Sequence, residues 1–269
     1  LIGLFGLLER IVEFIGPAIT NGMMAGVGIM LANVALGMAK KNKTVGFFSI
    51  FLSFVIYMIS EDLVYTVTLS VVGSSFLAFA LKQKTDIKIT EREKLVFQKP
   101  IINASVVQGA LALICLNIGA NIAFGEITGS IANTEVNIDH LSIVSSLADL
   151  ASASFGGGPV ESIISATGGA PNPLRSAVLM MSIMAVILFA GLLPKIGNYV
   201  PSESIAGFLF VLGGIVTAPS SAMTALSVEG IPGGVMVGGI TMTVTAISNP
   251  FYGMLAGVVF RAVAMLTGM

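Results

Sequence analysis

The feature that most limits the fold is a run of helix-breaking residues between two apolar stretches, each long enough to cross a bilayer. Phe155 to Pro173 contains three consecutive glycines before Pro159, and a second group of glycines and prolines begins at Gly168. Glycine loses backbone entropy in a helix, and proline lacks the N–H and clashes with the preceding turn. A short helix from Val160 to Thr167 is expected between the two groups. The break is expected at membrane depth, where non-helical backbone must be buried in protein or line a polar cavity.

The composition places the chain in the membrane class. Of its 269 residues, 55% are hydrophobic and 10% are charged, whereas soluble domains carry about 25% charged residues. The net charge of −1 gives no indication of a nucleic acid partner. The one cysteine, Cys115, is expected to be a buried thiol, and with the one histidine, His140, it provides neither a disulfide framework nor a metal-ligand set. We therefore expect no enzyme activity, no cofactor and no bound metal.

Apolar runs of spanning length predict about ten membrane helices, and residues 1–16 are expected to be the end of a further one. Because the chain starts inside an apolar run and carries no signal-peptide pattern, we expect it to be a piece of a longer membrane protein. Apart from the broken segment, the predicted spans are Ala18–Ala39, Thr44–Ile59, Leu63–Leu81, Ile101–Phe124, Leu141–Phe155, Leu174–Leu193, Ser204–Ala218, Gly233–Ile247 and Phe251–Leu266.

One long polar segment, from Lys82 to Pro100, divides these spans into two halves. Its excess of lysine and arginine places it in the cytoplasm under the positive-inside rule. A short echo links the halves, because GIMLA from Gly28 and GIVTA from Gly214 each follow a proline that opens a glycine-containing span. Repeated membrane helices are the expected build of a transporter with a site at the bilayer midplane.

Acidic residues inside or beside the apolar segments are candidate functional residues. Glu161 lies in the first turn after the glycine break, with Ser165 one helical turn further along the same face. A broken helix that carries an acid is typical of mid-membrane sites in secondary transporters. Asp149 is either an intramembrane acid or a helix-end residue near the headgroups, and Glu126 is expected to end the span that starts at Ile101.

Polar side chains recur at helical spacing on two successive spans. The first stripe is expected to face the bundle interior, because two amides buried in lipid without partners would be costly. It either holds neighbouring helices together or contacts substrate. The two polar faces consist of Asn117, Asn121, Gly125 and Thr128 on the first span, and of Ser142, Ser145, Asp149 and Ser152 on the second.

Two motifs resemble the nucleobase–cation symporter family of xanthine, uracil and ascorbate permeases, with the hypoxanthine/guanine branch most similar. They are GPAITNGMMAGVGIMLANVAL from Gly16 and SLADLASASFGGGP from Ser146, together with the glycine-bounded segment that follows. The resemblance implies an all-α polytopic membrane protein of two inverted seven-helix repeats, with core and gate domains and a broken helix at the midplane. The implied divisions are the end of a truncated core helix (1–16), gate helices of the first repeat (17–82), the polar connector (83–100), core helices of the second repeat (101–193) with the broken helix at 155–169, and gate helices of the second repeat (194–269).

The resemblance implies a secondary active transporter in the plasma membrane that moves a purine-type base or uracil together with a proton, by alternating access. The base, the coupling cation and the lipid bilayer are then its partners, with homodimerisation left open. Where the family has its first carboxylate, this chain has Asn121 and Ile122, and the second family position falls on Ser165, one turn after Glu161. The family places the connector outside, whereas its lysines place it inside, so the orientation stays open. The candidate substrate-binding residues are Glu161, Ser165, Asn121, Asn117, Gly158 and Val160, and the proton-coupling candidates are Glu161, Glu126 and Asp149.

Three alternatives stay open beside the nucleobase transporter. The first is an anion carrier of the sulfate or bicarbonate type with the same architecture. It is disfavoured because no lysine or arginine lies between Gly156 and Gly169 and because Glu161 would repel an anion. The second is a structural membrane protein built as a glycine-packed bundle, and the third is a membrane enzyme.

Overall fold

The computed structural model describes residues 14–81, 103–160, 162, 166–192, 200–228 and 233–267. Within these ranges all regular secondary structure is helical. The helices are α1 (Pro17–Lys41), α2 (Lys43–Ser60), α3 (Leu63–Ala80), α4 (Ala104–Ala132), α5 (Ile138–Ser154), α6 (Pro173–Phe189), α7 (Ser202–Leu226), α8 (Gly234–Ile247) and α9 (Pro250–Thr267).

Five of the described helices, α1, α2, α3, α7 and α9, are long and apolar enough to cross a membrane, and α6 and α8 are shorter apolar helices. The chain is therefore an α-helical membrane protein, as its composition predicts. The predicted spans Ala18–Ala39, Thr44–Ile59 and Leu63–Leu81 correspond to α1, α2 and α3 to within two residues at each end. The expected partial helix at 1–16 and the connector at 83–100 fall almost entirely outside the described residues.

Short polar side chains at the helix starts explain why these boundaries are predictable. The Asp62 carboxylate accepts the backbone N–H groups of Val64 at 2.6 Å and of Tyr65 at 3.4 Å, and so caps α3. Asn137 caps α5 in the same way, through the N–H of His140 at 2.9 Å. A cap of this kind satisfies one of the N–H groups that a first turn leaves unpaired, and it contributes about 1 kcal/mol.

The predicted end of the fourth helix near Glu126 is wrong, because α4 continues to Ala132. The chain leaves the helix at Asn133, which has a φ of 52°, and the N–H of Thr134 donates to the Gly129 carbonyl at 2.9 Å. This is a Schellman C-cap with asparagine in the left-handed position. Packing of the Val136 side chain against Gly129 supports the extra turn.

The predicted end of the span at Ala218 is also wrong, because α7 runs on to Leu226. Pro219 favours an end at this point, since proline removes a helical N–H. The residues just before it, Val211–Thr217, form a π-helix, whose wider turn accommodates the proline. The helix therefore passes the proline without ending.

The described residues cluster into two compact units. The first unit takes the described parts of Leu1–Val27, Glu93–Ser165 and Ala218–Met269, and the second takes those of Gly28–Arg92 and Ala166–Thr217. The proposed core and gate domains are a different division of the chain and stay a prediction.

In the first unit, small residues bring α8 close to both α1 and α9. A Cβ built on Gly22 of α1 would lie 2.7 Å from the Gly238 carbonyl oxygen of α8. On the other side of α8, Gly253 of α9 packs directly on the Thr245 hydroxyl. Close approach through glycine and threonine is the usual way in which membrane helices associate.

The same unit contains the turn that starts α1 and the predicted buried thiol. Gly16 has a φ of 79°, and Arg261 donates through Nη1 to the carbonyls of Phe14 at 2.8 Å and Ile15 at 3.0 Å. The guanidinium therefore pairs the carbonyls of the last helical residues before the break at Gly16, which a helix end leaves without intrahelical partners. Cys115 is 4% exposed, as predicted, and its sulfur lies 3.8 Å from that of Met254.

In the second unit, a buried serine cluster joins α2 and α3 to the start of α7. The hydroxyl of Ser49 donates to the Ser204 carbonyl at 2.6 Å and accepts the Gly207 N–H at 3.1 Å. The hydroxyl of Ser75 on α3 donates to that of Ser204 at 3.3 Å. These bonds satisfy backbone groups where α7 begins, in a region that buries them from water.

The two echo segments of the sequence lie against each other in the second unit. A Cβ on Gly213 would lie 2.5 Å from the Gly28 carbonyl oxygen, and one on Gly214 would lie 3.3 Å from the Ala32 Cβ. Gly213, which directly precedes the second echo segment, is therefore required by close helix packing, and Gly214 makes a tight contact with Ala32. This contact gives the repeated pattern a structural role.

Candidate functional site

The glycine break after α5 is a helix C-cap followed by non-helical chain. Gly156 has a φ of 77°, and the N–H of Gly157 donates to the Ser152 carbonyl at 2.8 Å, which completes a Schellman motif. The Ser152 hydroxyl then donates to the Gly158 carbonyl at 2.7 Å and folds the chain back onto the end of α5. We call residues 155–160 and 162 the break loop.

The helix expected from Val160 to Thr167 is not found in the described residues. Val160 and Ser162 have non-helical backbone, and the helical winding that is described is a 3-10 turn at Ala166–Gly169. In the described residues, polar side chains of α5 and α4 bind the backbone N–H of Val160 and the hydroxyl of Ser162. These bonds hold Val160 and Ser162 against the two helices.

Asp149 is the first of the residues that bind the break loop. One carboxylate oxygen accepts the side-chain amide of Asn117 on α4 at 2.7 Å, and the other accepts the backbone N–H of Val160. Both partners are neutral donors, and each bond is strengthened by the carboxylate charge. Asp149 therefore faces α4 and the break loop, and both sequence interpretations of its depth in the membrane stay open.

Asn121 is the second of these residues, and it is almost completely buried, with 1% of its surface exposed. Its amide nitrogen donates to the hydroxyls of Ser142 at 2.9 Å and Ser145 at 3.2 Å on α5. Its amide oxygen accepts the hydroxyl of Ser162 in the break loop at 2.5 Å. Asn121 therefore connects α4, α5 and the break loop through a fully paired amide.

The predicted polar stripe on α4 faces α5, since Asn117 and Asn121 both bond to it and Gly125 packs on Leu141. Two polar atoms of the stripe are left over. The amide oxygen of Asn117 and the hydroxyl of Thr128 are buried and have no hydrogen-bond partner among the described residues. An unpaired buried acceptor costs about 1–3 kcal/mol, and the Asn117 oxygen is the one that belongs to a side chain bonded to Asp149.

The structure brings four of the predicted substrate-binding residues, Asn117, Asn121, Gly158 and Val160, into one region around Asp149. Glu161 and Ser165 lie outside the described residues, and so does the side chain of Glu126, whose backbone belongs to α4. Within the described ranges no group of three or more histidine, cysteine or acidic side chains is placed to hold a metal ion.

Sequence reasoning missed Ser162 as a partner of Asn121 and missed Asp149 as an anchor of the loop. Both contacts depend on the direction that the chain takes after the glycines. Ser162 and Asn121 are 41 residues apart in the sequence. No local pattern carries that information. The helical spacing of Ser142 and Ser145 predicted a polar face on α5, and the structure places this face against Asn121 of α4.

No protein-family model matches this chain, and no curated protein is significantly similar to it. The resemblance to the nucleobase–cation symporters thus rests on the two motifs and stays a prediction.

Proposed function

We propose that this protein is a secondary active transporter that moves a nucleobase across the plasma membrane together with a proton, by alternating access. The observation that carries the proposal is the carboxylate–amide cluster of Asp149, Asn117 and Asn121 beside a glycine break. Acids and amides inside apolar helices are costly, and in membrane proteins they mark paths for substrates and ions. Irregular backbone beside them is typical of transporter binding sites.

The donor and acceptor pattern of the cluster suits a flat, neutral ring with polar edges. The free acceptor is the buried Asn117 oxygen, which would pair with a ring N–H of a purine or uracil. The Val160 N–H is already bound to Asp149, so it is not free to bind the ring. Glu161 and Ser165 remain proposed substrate contacts on the basis of the sequence.

Charge supports a base over an anion as the substrate. Residues 103–162 contain no lysine or arginine, and they include the acids Glu126, Glu135, Asp139, Asp149 and Glu161. An anion in this region would meet like charges and no cation. We therefore keep the sulfate or bicarbonate carrier only as an outcome of the test.

The proposed architecture is a pair of inverted repeats with a core and a gate domain. Its support is the contact between the echo segments, where Gly213 and Gly214 pack on the residues from Gly28 to Ala32. Equivalent segments of two repeats meet in this way when they lie near a shared symmetry axis.

The test is uptake of labelled hypoxanthine, guanine, xanthine and uracil by cells that lack their own base permeases and express this protein. We expect saturable uptake of at least one base, competition by the unlabelled base, and loss of accumulation when a protonophore is added. Accumulation of sulfate that excess hypoxanthine and uracil leave unchanged would instead support the anion carrier and overturn the proposal.

A further inference from the structure

We propose that Asp149 and Asn121 are positioning residues, which together clamp the break loop onto α4 and α5 and fix its conformation. Asp149 holds the loop at the Val160 N–H, and Asn121 holds it at the Ser162 hydroxyl. The two links are independent, because they use different residues on both sides. This clamp deepens the proposed function. Its effect on transport rests on that function, whereas its effect on the order of the loop is independent of it.

Each clamp residue is itself held by a second bond to a neighbouring helix. Asp149 belongs to α5 and is fixed by Asn117 of α4 at 2.7 Å, and Asn121 belongs to α4 and is fixed by Ser142 of α5 at 2.9 Å. Each link therefore bridges α4 and α5 as well as holding the loop. A side chain that is locked by a second partner positions its first partner more precisely than a free one does.

The two links are separated by similar distances along α4 and along the break loop. Asn117 and Asn121 are one helical turn apart, which corresponds to a rise of about 6 Å along α4. Val160 and Ser162 are two residues apart, and two residues of extended chain span at most about 7 Å. The loop can therefore engage both links at once without distortion of α4.

The clamp is needed because the glycines and the proline of the loop do little to fix its backbone conformation. Gly156 to Gly158 is the most flexible kind of chain, and Pro159 has no N–H to donate. Val160 is therefore the first residue after the glycines and the proline that can be held by a backbone N–H. Since the sequence places the candidate acid Glu161 between Val160 and Ser162, the clamp fixes the chain on both sides of it.

The clamp is tested by the mobility of a spin label in the loop, measured by electron paramagnetic resonance on the protein in lipid vesicles. Cys115 is replaced by alanine, and the label is placed through Gly158→Cys, where a Cβ meets no atom of the described residues within 4 Å. The control label is at Gly37→Cys on α1, which is equally open. We expect Asp149→Ala, Asn121→Ala and the milder Ser162→Ala to make the label at 158 severalfold more mobile and to leave the label at 37 unchanged.

Exchanging the side chains of Asp149 and Asn117 distinguishes loss of the clamp from a nonspecific loss of structure. Asn117→Asp alone places two carboxylates against each other and should mobilise the label at 158. Combined with Asp149→Asn it restores one donor opposite one acceptor, and the amide oxygen introduced at 149 still accepts the Val160 N–H. We expect the double variant to return label mobility close to the value of the parent protein, and a label as mobile as in Asn117→Asp alone would overturn the clamp.

The two readouts distinguish the failure of the clamp from the failure of the proposed function. Label mobility at 158 that stays unchanged in all three alanine variants overturns the clamp, whatever the uptake. If mobility rises in these variants but the parent protein takes up no base, the clamp stands and the nucleobase transporter is wrong. If the label at 37 also changes in Asp149→Ala or Asn121→Ala, Ser162→Ala decides the matter, because it removes one link and leaves the α4–α5 contacts intact.

Discussion

At the scale of single residues, Asn121 carries more hydrogen bonds than any other side chain of the polar cluster. It pairs with Ser142, Ser145 and Ser162 while it is 1% exposed. Replacing it leaves three hydroxyls with fewer partners, of which that of Ser145 is buried and those of Ser142 and Ser162 are partly buried. We therefore expect this amide to contribute as much to the stability of the site as the acids do.

We predict that Asn121→Ala lowers the free energy of unfolding by about 1–3 kcal/mol, because it leaves buried polar groups unpaired. The measurement is the midpoint of thermal unfolding in detergent. The matched control is Thr224→Ala, since the hydroxyl of Thr224 is exposed and bonds only to the Ser220 carbonyl of its own helix. Equal midpoints for the two variants would contradict the prediction.

A second residue-scale prediction concerns Glu161 and rests on the sequence, because Glu161 and Ser165 lie outside the described residues. If Glu161 accepts a hydrogen bond from the ring edge, Glu161→Gln should weaken base binding roughly ten- to a hundredfold, since a bond to a charged acceptor contributes about 1.5–3 kcal/mol. Ser165→Ala should cost less. Competition uptake checks both, and near-normal uptake by Glu161→Gln with an inactive Ser165→Ala would reverse the assignment.

At the scale of helices, small residues decide where packing is close and where it is not. A Cβ on Gly26 of α1 would lie 2.7 Å from the Met242 carbonyl oxygen and collide with Thr245 of α8. On the same helix, a Cβ on Gly37 meets no atom within 4 Å. The two glycines therefore provide a matched pair on one element.

We predict that Gly26→Ala destabilises the protein, because the α1–α8 contact must open to admit the methyl group. Overpacking of this kind costs about 1–3 kcal/mol. Gly37→Ala should be neutral or stabilising by up to about 1 kcal/mol, through the higher helix propensity of alanine. Thermal unfolding of both variants checks the pair, and a Gly26→Ala protein as stable as the parent would show that α1 and α8 are not in close contact.

The end of α4 gives another prediction at this scale. Asn133 is in the left-handed region with a φ of 52°, which costs a β-branched residue more than asparagine or glycine. Asn133→Gly should therefore leave the unfolding midpoint nearly unchanged, whereas Asn133→Val should lower it by an amount that corresponds to about 1–2 kcal/mol. The reverse order of the two variants would exclude the Schellman cap.

The sequence predicts these helices well where the signal is local. It predicts them poorly where the structure depends on a residue that is distant in the sequence. Apolar runs bounded by caps such as Asp62 and Asn137 located the helices to within a few residues. The end of α4 was misjudged because Glu126 looks like a boundary while Val136 packs on the extra turn. The helix expected after the break is not found at Val160 and Ser162, where the chain bonds to Asp149 and Asn121, and no local pattern predicts these bonds.

At the scale of the whole molecule, an α-helical membrane protein with an acid–amide cluster at a helix break is what the described residues establish. Most of the large side chains of α6 are exposed, as are those of the first half of α4, and they are apolar, as a membrane protein requires. The cluster joins an acid and two amides to a helix break, whereas the buried serine cluster of the second unit contributes hydroxyls. Under the proposed function, a solute path is expected to pass beside the acid and the amides.

The most direct test of the transporter account is counterflow in vesicles that contain only the purified protein. Vesicles loaded with unlabelled hypoxanthine, guanine, xanthine or uracil are diluted into the labelled base, and the label inside is followed with time. The account predicts a transient accumulation of at least one base that Asn121→Ala reduces and that sulfate neither drives nor inhibits. No counterflow with any of the four bases, or counterflow driven by sulfate, would contradict it.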